Sequence, residues 1–449
     1  MNKNLPLVVI GSGGAAVHAL QAARKYGYRR EIHLFTDSCE PPYNPMLTTY
    51  YLAGKLEREK CYPFGQSFDV YKRLGVTVQG GSPVTEIDGK AKTVSNAMGF
   101  KIHYQACLIA SGASPVLPSI PGISSSRVYS VHSMQDAERL REASLTHPKR
   151  VLIVGASMVG IKMVEIFQEA GAEVYLVDLS PHVFPLAAYH ECAELIEEQL
   201  LKKGIKLFLQ AKVASLEETR QGLKVSLSIS TPGANLNGTN AQEVNTVTRT
   251  ELNVNLVVFC VGVKSNLDFL RGSDVEIDKG IVVDNYMQTN VAGLYAAGDV
   301  VQATNLFNHK KEVIALWANA CQQGQVAGAN MAGTRVSYCG SIPQNITHFF
   351  DVFFVSIGDT RGHEEVCKFS INNYDLFLFL KQGKMVGVNL LTNGIPDLLQ
   401  SIGLFRQHAI RDMTQTPLNS FPGVRGLPRS IWDILNPILQ VKNGGLNLG

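Results

Sequence analysis

The chain has 449 residues, 45% of them hydrophobic, with 41 basic against 38 acidic side chains and a formal net charge of +3. That length allows about three domains of roughly 150 residues each, and the balanced charge without a basic stripe argues against a nucleic-acid partner. There is no apolar run of about 18 residues to make a transmembrane segment and no basic leader before a cleavage site. The eight cysteines lack C-x-x-C spacing, so free thiols, no metal site and a reducing, cytoplasmic setting are expected.

The first predicted strand, Val8 to Ile10, runs into Gly11-Ser12-Gly13-Gly14-Ala15-Ala16. This matches the G-x-G-x-x-G/A turn in which a strand hands over to a helix whose N-terminus receives a pyrophosphate. Gly11 allows the tight turn, Gly13 lets backbone N–H groups approach the phosphates, and Ala16 permits close helix–strand packing. A second apolar run, Ile32 to Phe35, leads to Asp37, a carboxylate placed to bind a ribose diol.

The pattern then recurs. Val151 to Val154 runs into Gly155-Ala156-Ser157-Met158-Val159-Gly160, with Ser157 where the middle glycine usually stands. Its hydroxyl is expected to face a phosphate. The strand Val174 to Val177 delivers Asp178, which would bond the ribose 2′-OH of NAD and repel a 2′-phosphate. No Arg or Lys lies between Leu179 and Leu201, so NADH is expected over NADPH. Further on, Ser230 to Asn253 is polar, with Thr231-Pro232-Gly233 near its start, and reads as a long hairpin loop.

A third signature, Thr289 to Val300, contains Ala296-Ala297-Gly298-Asp299. With it, residues 5 to about 335 resemble the two-dinucleotide flavoproteins of the pyridine nucleotide-disulfide oxidoreductase superfamily. The resemblance implies an α/β fold: an FAD-binding domain (1–115 and 268–332) interrupted by an NAD-binding domain (116–267), both Rossmann-like, and then a C-terminal α+β interface domain (336–449). It implies that Asp299 bonds the flavin ribityl chain. It adds Ala110-Ser111-Gly112, the turn Val261-Gly262-Val263-Lys264-Ser265-Asn266, and Trp317-Ala318-Asn319-Ala320 opening a late helix. The FAD set is then Gly11, Gly13, Gly14, Ala15, Asp37, Asn44, Pro45, Val84, Ala110, Ser111, Gly112, Gly298, Asp299 and Trp317. The NAD set is Gly155, Ser157, Met158, Val159, Gly160, Asp178 and Gly262.

Disulfide-reducing members carry a C-x-x-x-x-C pair early in the flavin domain. Here Tyr43-Asn44-Pro45-Met46-Leu47-Thr48-Thr49-Tyr50-Tyr51-Leu52-Ala53-Gly54 has no cysteine and is similar to the run in rubredoxin reductases, ferredoxin reductases and NADH nitrite reductases. Those relatives place a glutamate where this chain has Lys162 and a lysine where it has Tyr50. A cation at Lys162 beside the flavin would favour its anionic reduced form; alternatively Lys162 faces solvent, or pairs with Glu165 one turn on. Hydride transfer needs no acid–base residue, so no catalytic side chain is assigned beyond the candidate Lys162.

The C-terminal part contains the hairpin pattern Leu376 to Leu380 and Met385 to Val388. Beyond it, Trp432, Ile434, Leu435, Ile438 and Leu439 form an apolar tail that either packs on its own domain or docks a partner. The resemblance implies an FAD- and NAD(H)-dependent oxidoreductase that exchanges electrons with an iron-sulfur or other redox protein subunit of a larger complex. It extends to the flavoprotein subunits of oxo-acid or aldehyde oxidoreductases. A free-standing rubredoxin or ferredoxin reductase and a non-catalytic nucleotide-dependent regulatory module are the alternatives.

Overall fold

In the computed structural model the described residues are 5–231, 246–371 and 374–393. The strand Leu7–Ile10 is buried at every position. It is the middle of a parallel sheet ordered Leu294–Ala296, Ala106–Ile109, Leu7–Ile10, Ile32–Phe35, Thr77–Gln79. A parallel sheet is covered on both faces, which is why its inner strands Leu7–Ile10 and Ala106–Ile109 are continuously apolar rather than alternating. Helix α1 (Gly14–Lys25) and helix α4 (Trp317–Met331) cross at backbone contact. A Cβ on Gly324 would stand 2.2 Å from the Ala15 carbonyl oxygen, and one on Gly328 2.0 Å from that of Ala19, so any larger residue would force the helices apart. Between them come α2 (Thr48–Leu52) and α3 (Met158–Glu169).

The same plan recurs in a second parallel sheet, ordered Lys206–Phe208, Glu173–Val177, Arg150–Val154, Leu256–Phe259, Val128–Ser130. An antiparallel ribbon, Ala113–Pro115 with Val263–Ser265, ties the two crossings between the sheets together. An antiparallel layer, Ala211–Thr219, Gly222–Thr231 and Thr246–Val254, lies over the second sheet and shares an apolar cluster with it. The expected loop is therefore shorter than its composition suggests. Thr246–Val254 pairs in register with Gly222–Thr231, because alternating residues such as Leu252 and Val254 meet the apolar face of the layer.

The C-terminal hairpin pairs as expected, Leu378 opposite Val388, within a five-stranded antiparallel sheet. Alternation along Tyr374–Lys381 sends Phe377 and Phe379 into the core shared with the second parallel sheet, while Leu376, Leu378 and Leu380 join a separate cluster. The attachment is specific. Phe184 stacks on Phe354 with centroids 5.0 Å apart, and Asn389, fully buried, donates to the Ala187 carbonyl at 3.0 Å and accepts from Tyr189 N–H at 2.7 Å. The apolar tail around Trp432 lies outside the described residues. Among the described residues, no helix is long and apolar enough to cross a membrane.

Candidate functional site

The two glycine turns are built alike, atom for atom. Gly11 N–H donates to Phe35 O at 2.7 Å and Ala110 N–H to Ile10 O at 2.8 Å; Gly155 N–H donates to Val177 O and Cys260 N–H to Val154 O, both at 2.7 Å. Gly11 has φ +98° and Gly155 φ +105°, and a Cβ on either would sit 2.1 or 2.5 Å from a carbonyl oxygen of the neighbouring strand end. Only glycine meets both demands.

Gly13 is a different case. Its φ is −80°, which any residue adopts, and a Cβ there would meet nothing within 4 Å. The protein itself does not require glycine at this point; a ligand pressed against the turn would. No side chain caps α1, so its first N–H groups are left for an anion. Gly14 is held small by the Trp317 ring, which lies 2.6 Å from where its Cβ would be, and Ala15 sits against Gly298. These features fit a dinucleotide pyrophosphate.

In the second turn the expectation for Ser157 is corrected. Its hydroxyl donates to the Cys260 carbonyl at 2.9 Å and accepts from Gly160 N–H at 3.3 Å, capping α3 rather than facing outward. A phosphate would be met by the remaining first-turn N–H groups of Met158 and Val159. Asp178 is already oriented: its carboxylate accepts from Ala156 N–H at 2.6 Å and from Ser180 N–H at 2.7 Å. Asp37 is exposed beyond the end of its strand, and neighbouring Thr36 bonds the Ser12 hydroxyl at 2.9 Å.

Asp299 is half-buried just beyond the end of the strand Leu294–Ala296. Among the described residues nothing hydrogen-bonds its carboxylate, and burial pushes its pKa up, with His132 pulling the other way. Its position is fixed from two sides, by Ser265 Oγ donating to the Asp299 carbonyl at 2.7 Å and by Gly298 N–H donating to the Gln323 side chain at 2.8 Å. Sequence reading missed Gln323 and His132, which bear no motif. Ser111 and Asn266 exchange bonds, Ser111 Oγ to Asn266 O at 2.8 Å and Asn266 Nδ2 to Ser111 O at 3.0 Å. Gly112 has φ +66° and Gly262 φ +96°, both with open space beside them. Asn44 turns its side chain onto Met46 N–H at 3.0 Å ahead of the exposed Pro45, and Val84 packs at the margin of the first core.

Lys162 does not face solvent. It is 9% exposed and pairs with the 2%-exposed Glu165 at 2.7 Å, with its ammonium 5.8 Å from the centre of the Tyr50 ring. Glu165 also meets Lys55 at 3.6 Å and accepts from Phe350 N–H at 3.0 Å. The Tyr50 hydroxyl lies 3.5 Å from His348 Nδ1. Burial lowers the pKa of Lys162 against the pull of Glu165, and burial together with Lys162 lowers that of His348.

None of the eight cysteines is in a disulfide. Burial raises the thiols of Cys61 and Cys107, and pushes that of Cys260 up to about 12, the opposite of what a reactive thiolate needs.

A family model, pyridine nucleotide-disulphide oxidoreductase, matches residues 5–324. The NADH-dependent phenylglyoxylate dehydrogenase subunit epsilon of Aromatoleum evansii is 30% identical over 420 residues, 92% of this chain and 93% of that one. The water-forming NADH oxidase of Lactobacillus brevis bound to NADH superposes with a TM-score of 0.83 at 22% identity, covering 98% of each chain. A covalent putidaredoxin reductase–putidaredoxin complex gives 0.80 at 20% identity, over 99% of this chain and 100% of that one. At these identities the two structures speak for the fold.

Proposed function

The chain belongs to the pyridine nucleotide-disulphide oxidoreductase family and is an NAD(H)-dependent flavin oxidoreductase, and from that premise we propose that it exchanges electrons with an iron-sulfur subunit of a larger redox complex. The observation that carries this reading is the thiol-free segment 43–54. Without a cysteine there, electrons have no disulfide to enter at that segment, and burial raises the thiols of Cys61, Cys107 and Cys260, which disfavours the thiolate a replacement would need.

FAD would be held by the Gly11–Ala15 turn, Asp37, the 110–112 turn, Asp299 and the segment from Asn44. NADH would be held by Asp178, Gly155, Gly160 and the N-terminus of α3, with the Gly262 turn beside it. Hydride exchange is chemistry that the two bound dinucleotides supply. What the chain adds is placement. The Ser265 and Asn266 bonds lock the turn of the second sheet onto Asp299 and Ser111 of the first, so both nucleotides are positioned by one connected framework.

The similarity to the epsilon subunit of an NADH-dependent dehydrogenase supports a partner subunit, and the free thiols suit the cytoplasm. The test is affinity purification of the full chain from its own cells, without oxygen. An iron-sulfur subunit in stoichiometric amount supports the proposal. A chain that purifies alone and reduces added rubredoxin or ferredoxin at full rate favours a free-standing reductase.

A further inference from the structure

Beside Asp178 the second domain has a cavity of about 540 Å³ lined by Leu179, Pro181, Gln210, Lys212, Ser228 and Ser230. Main-chain bonds bring these residues together. Ala211 N–H donates to Asp178 O at 2.9 Å and Gln210 N–H to Ser180 O at 3.0 Å, so the segment after Asp178 is clamped onto the start of the antiparallel layer. Register does the rest. Lys212 stands opposite Ser228, which stands opposite Arg249 on the next strand, and the Ser230 N–H bond to Gln210 O continues the ladder. Directly opposed residues share a face, so Gln210, Lys212, Ser228, Ser230 and Arg249 all lie on one.

None of these five side chains has a partner among the described residues. Their charged neighbours do: Lys206 pairs with Glu173, and Glu251, on the same face, is taken by Lys224 at 2.9 Å. A cation, two hydroxyls and an amide gathered at a cavity, with the nearest carboxylate of the layer already neutralised, suit a phosphate monoester. The expectation of NADH over NADPH rested on Asp178 and on the absence of a cation between Leu179 and Leu201. Lys212 comes from outside that window, delivered by strand pairing.

We propose that this face is a phosphate subsite next to the nucleotide ribose, taking the 2′-phosphate of NADPH so that the enzyme accepts both nicotinamides. The inference rests on Asp178 holding the ribose, as proposed above. Asp178 still opposes a 2′-phosphate, and Lys212 offsets part of that repulsion. Both oxygens of Asp178 already accept backbone N–H bonds, which weakens the charge it presents.

The test uses the FAD-loaded protein and titration calorimetry with ADP and with 2′,5′-ADP, alongside flavin reduction by NADH and NADPH. Lys212→Gln should weaken 2′,5′-ADP binding and lower kcat/KM for NADPH by about tenfold, leaving ADP and NADH within about twofold. Lys212→Arg should retain NADPH use, and raising ionic strength should weaken NADPH more in the natural protein than in Lys212→Gln. An unchanged NADPH-to-NADH ratio in Lys212→Gln, or no 2′,5′-ADP binding where ADP binds, overturns the subsite. Failure of ADP as well overturns the ribose assignment itself, and the subsite with it.

Discussion

Glu165 joins three parts of the molecule, and its removal should be felt in all of them. Its carboxylate pairs with Lys162 at 2.7 Å from within α3, meets Lys55 from beyond α2 at 3.6 Å, and accepts from Phe350 N–H of the C-terminal sheet at 3.0 Å. Lys162 is nearly as buried as Glu165. Glu165→Ala would leave an uncompensated buried ammonium, which costs about 3–5 kcal/mol, and would orphan the Phe350 N–H, a further ~1 kcal/mol or more. Lys162→Met should cost less, since Glu165 keeps Lys55 and Phe350 and the methionine fills the space. The double variant should therefore be more stable than the sum of the single losses, with a coupling of about 1–3 kcal/mol. Because a chain of this size need not unfold in one step, the assay is the shift of the first thermal transition rather than an extrapolated free energy. At roughly 2–4 °C per kcal/mol for a domain of 150–250 residues, Glu165→Ala should lower it by about 8 °C or more. A transition within 2 °C of the natural protein, or strictly additive single variants, would refute the argument.

Asp299→Asn should act in opposite directions on apoprotein and holoprotein. A carboxyl raised by burial costs stability once the pH climbs through the window above its unfolded value, 3.8. The apoprotein variant should therefore melt higher than the natural chain at pH 7, with the gain shrinking as the pH falls toward that value, and it should hold FAD about 1–3 kcal/mol less tightly. Gel filtration with flavin fluorescence and melting curves without FAD check the pair; unchanged retention contradicts the assigned role. Asp178→Ala should narrow a preference for NADH over NADPH of about tenfold, near 1.4 kcal/mol, in stopped-flow reduction, and an unaltered ratio would contradict the ribose assignment. Burial and Lys162 lower the pKa of His348 below its ordinary value. Its contribution to stability is present above pH 6.5 and lost as the pH drops below, where the unfolded chain takes up the proton first. His348→Asn should flatten the fall in melting temperature between pH 7 and pH 5, and parallel curves for the two proteins would refute this.

What could be read in advance follows a physical line. Gly11 and Gly155 are legible because positive φ and a carbonyl 2.1 or 2.5 Å from the Cβ position leave no other residue. The continuously apolar strands are legible because both faces are covered. Orientation was not. Ser157 carries a hydroxyl that serves a phosphate or a helix N-terminus equally well, and only the nearby Cys260 carbonyl decides between them. Whether Lys162 faces out or in depends on the sheet containing His348 and Phe350, far along the chain, packing over α3. Lys212 reaches the cavity by cross-strand register, Gln323 reaches Gly298 by the crossing of α4 over α1, and no local pattern announces either.

The measurement that bears most directly on the account is anaerobic stopped-flow mixing of the FAD-loaded protein with NADH, after its accessible thiols have been alkylated. Full and rapid bleaching of the flavin, followed by reoxidation when an oxidised iron-sulfur protein is added, is the predicted result. Loss of bleaching or of electron transfer on alkylation would show that a cysteine carries the electrons, contradicting the thiol-free route.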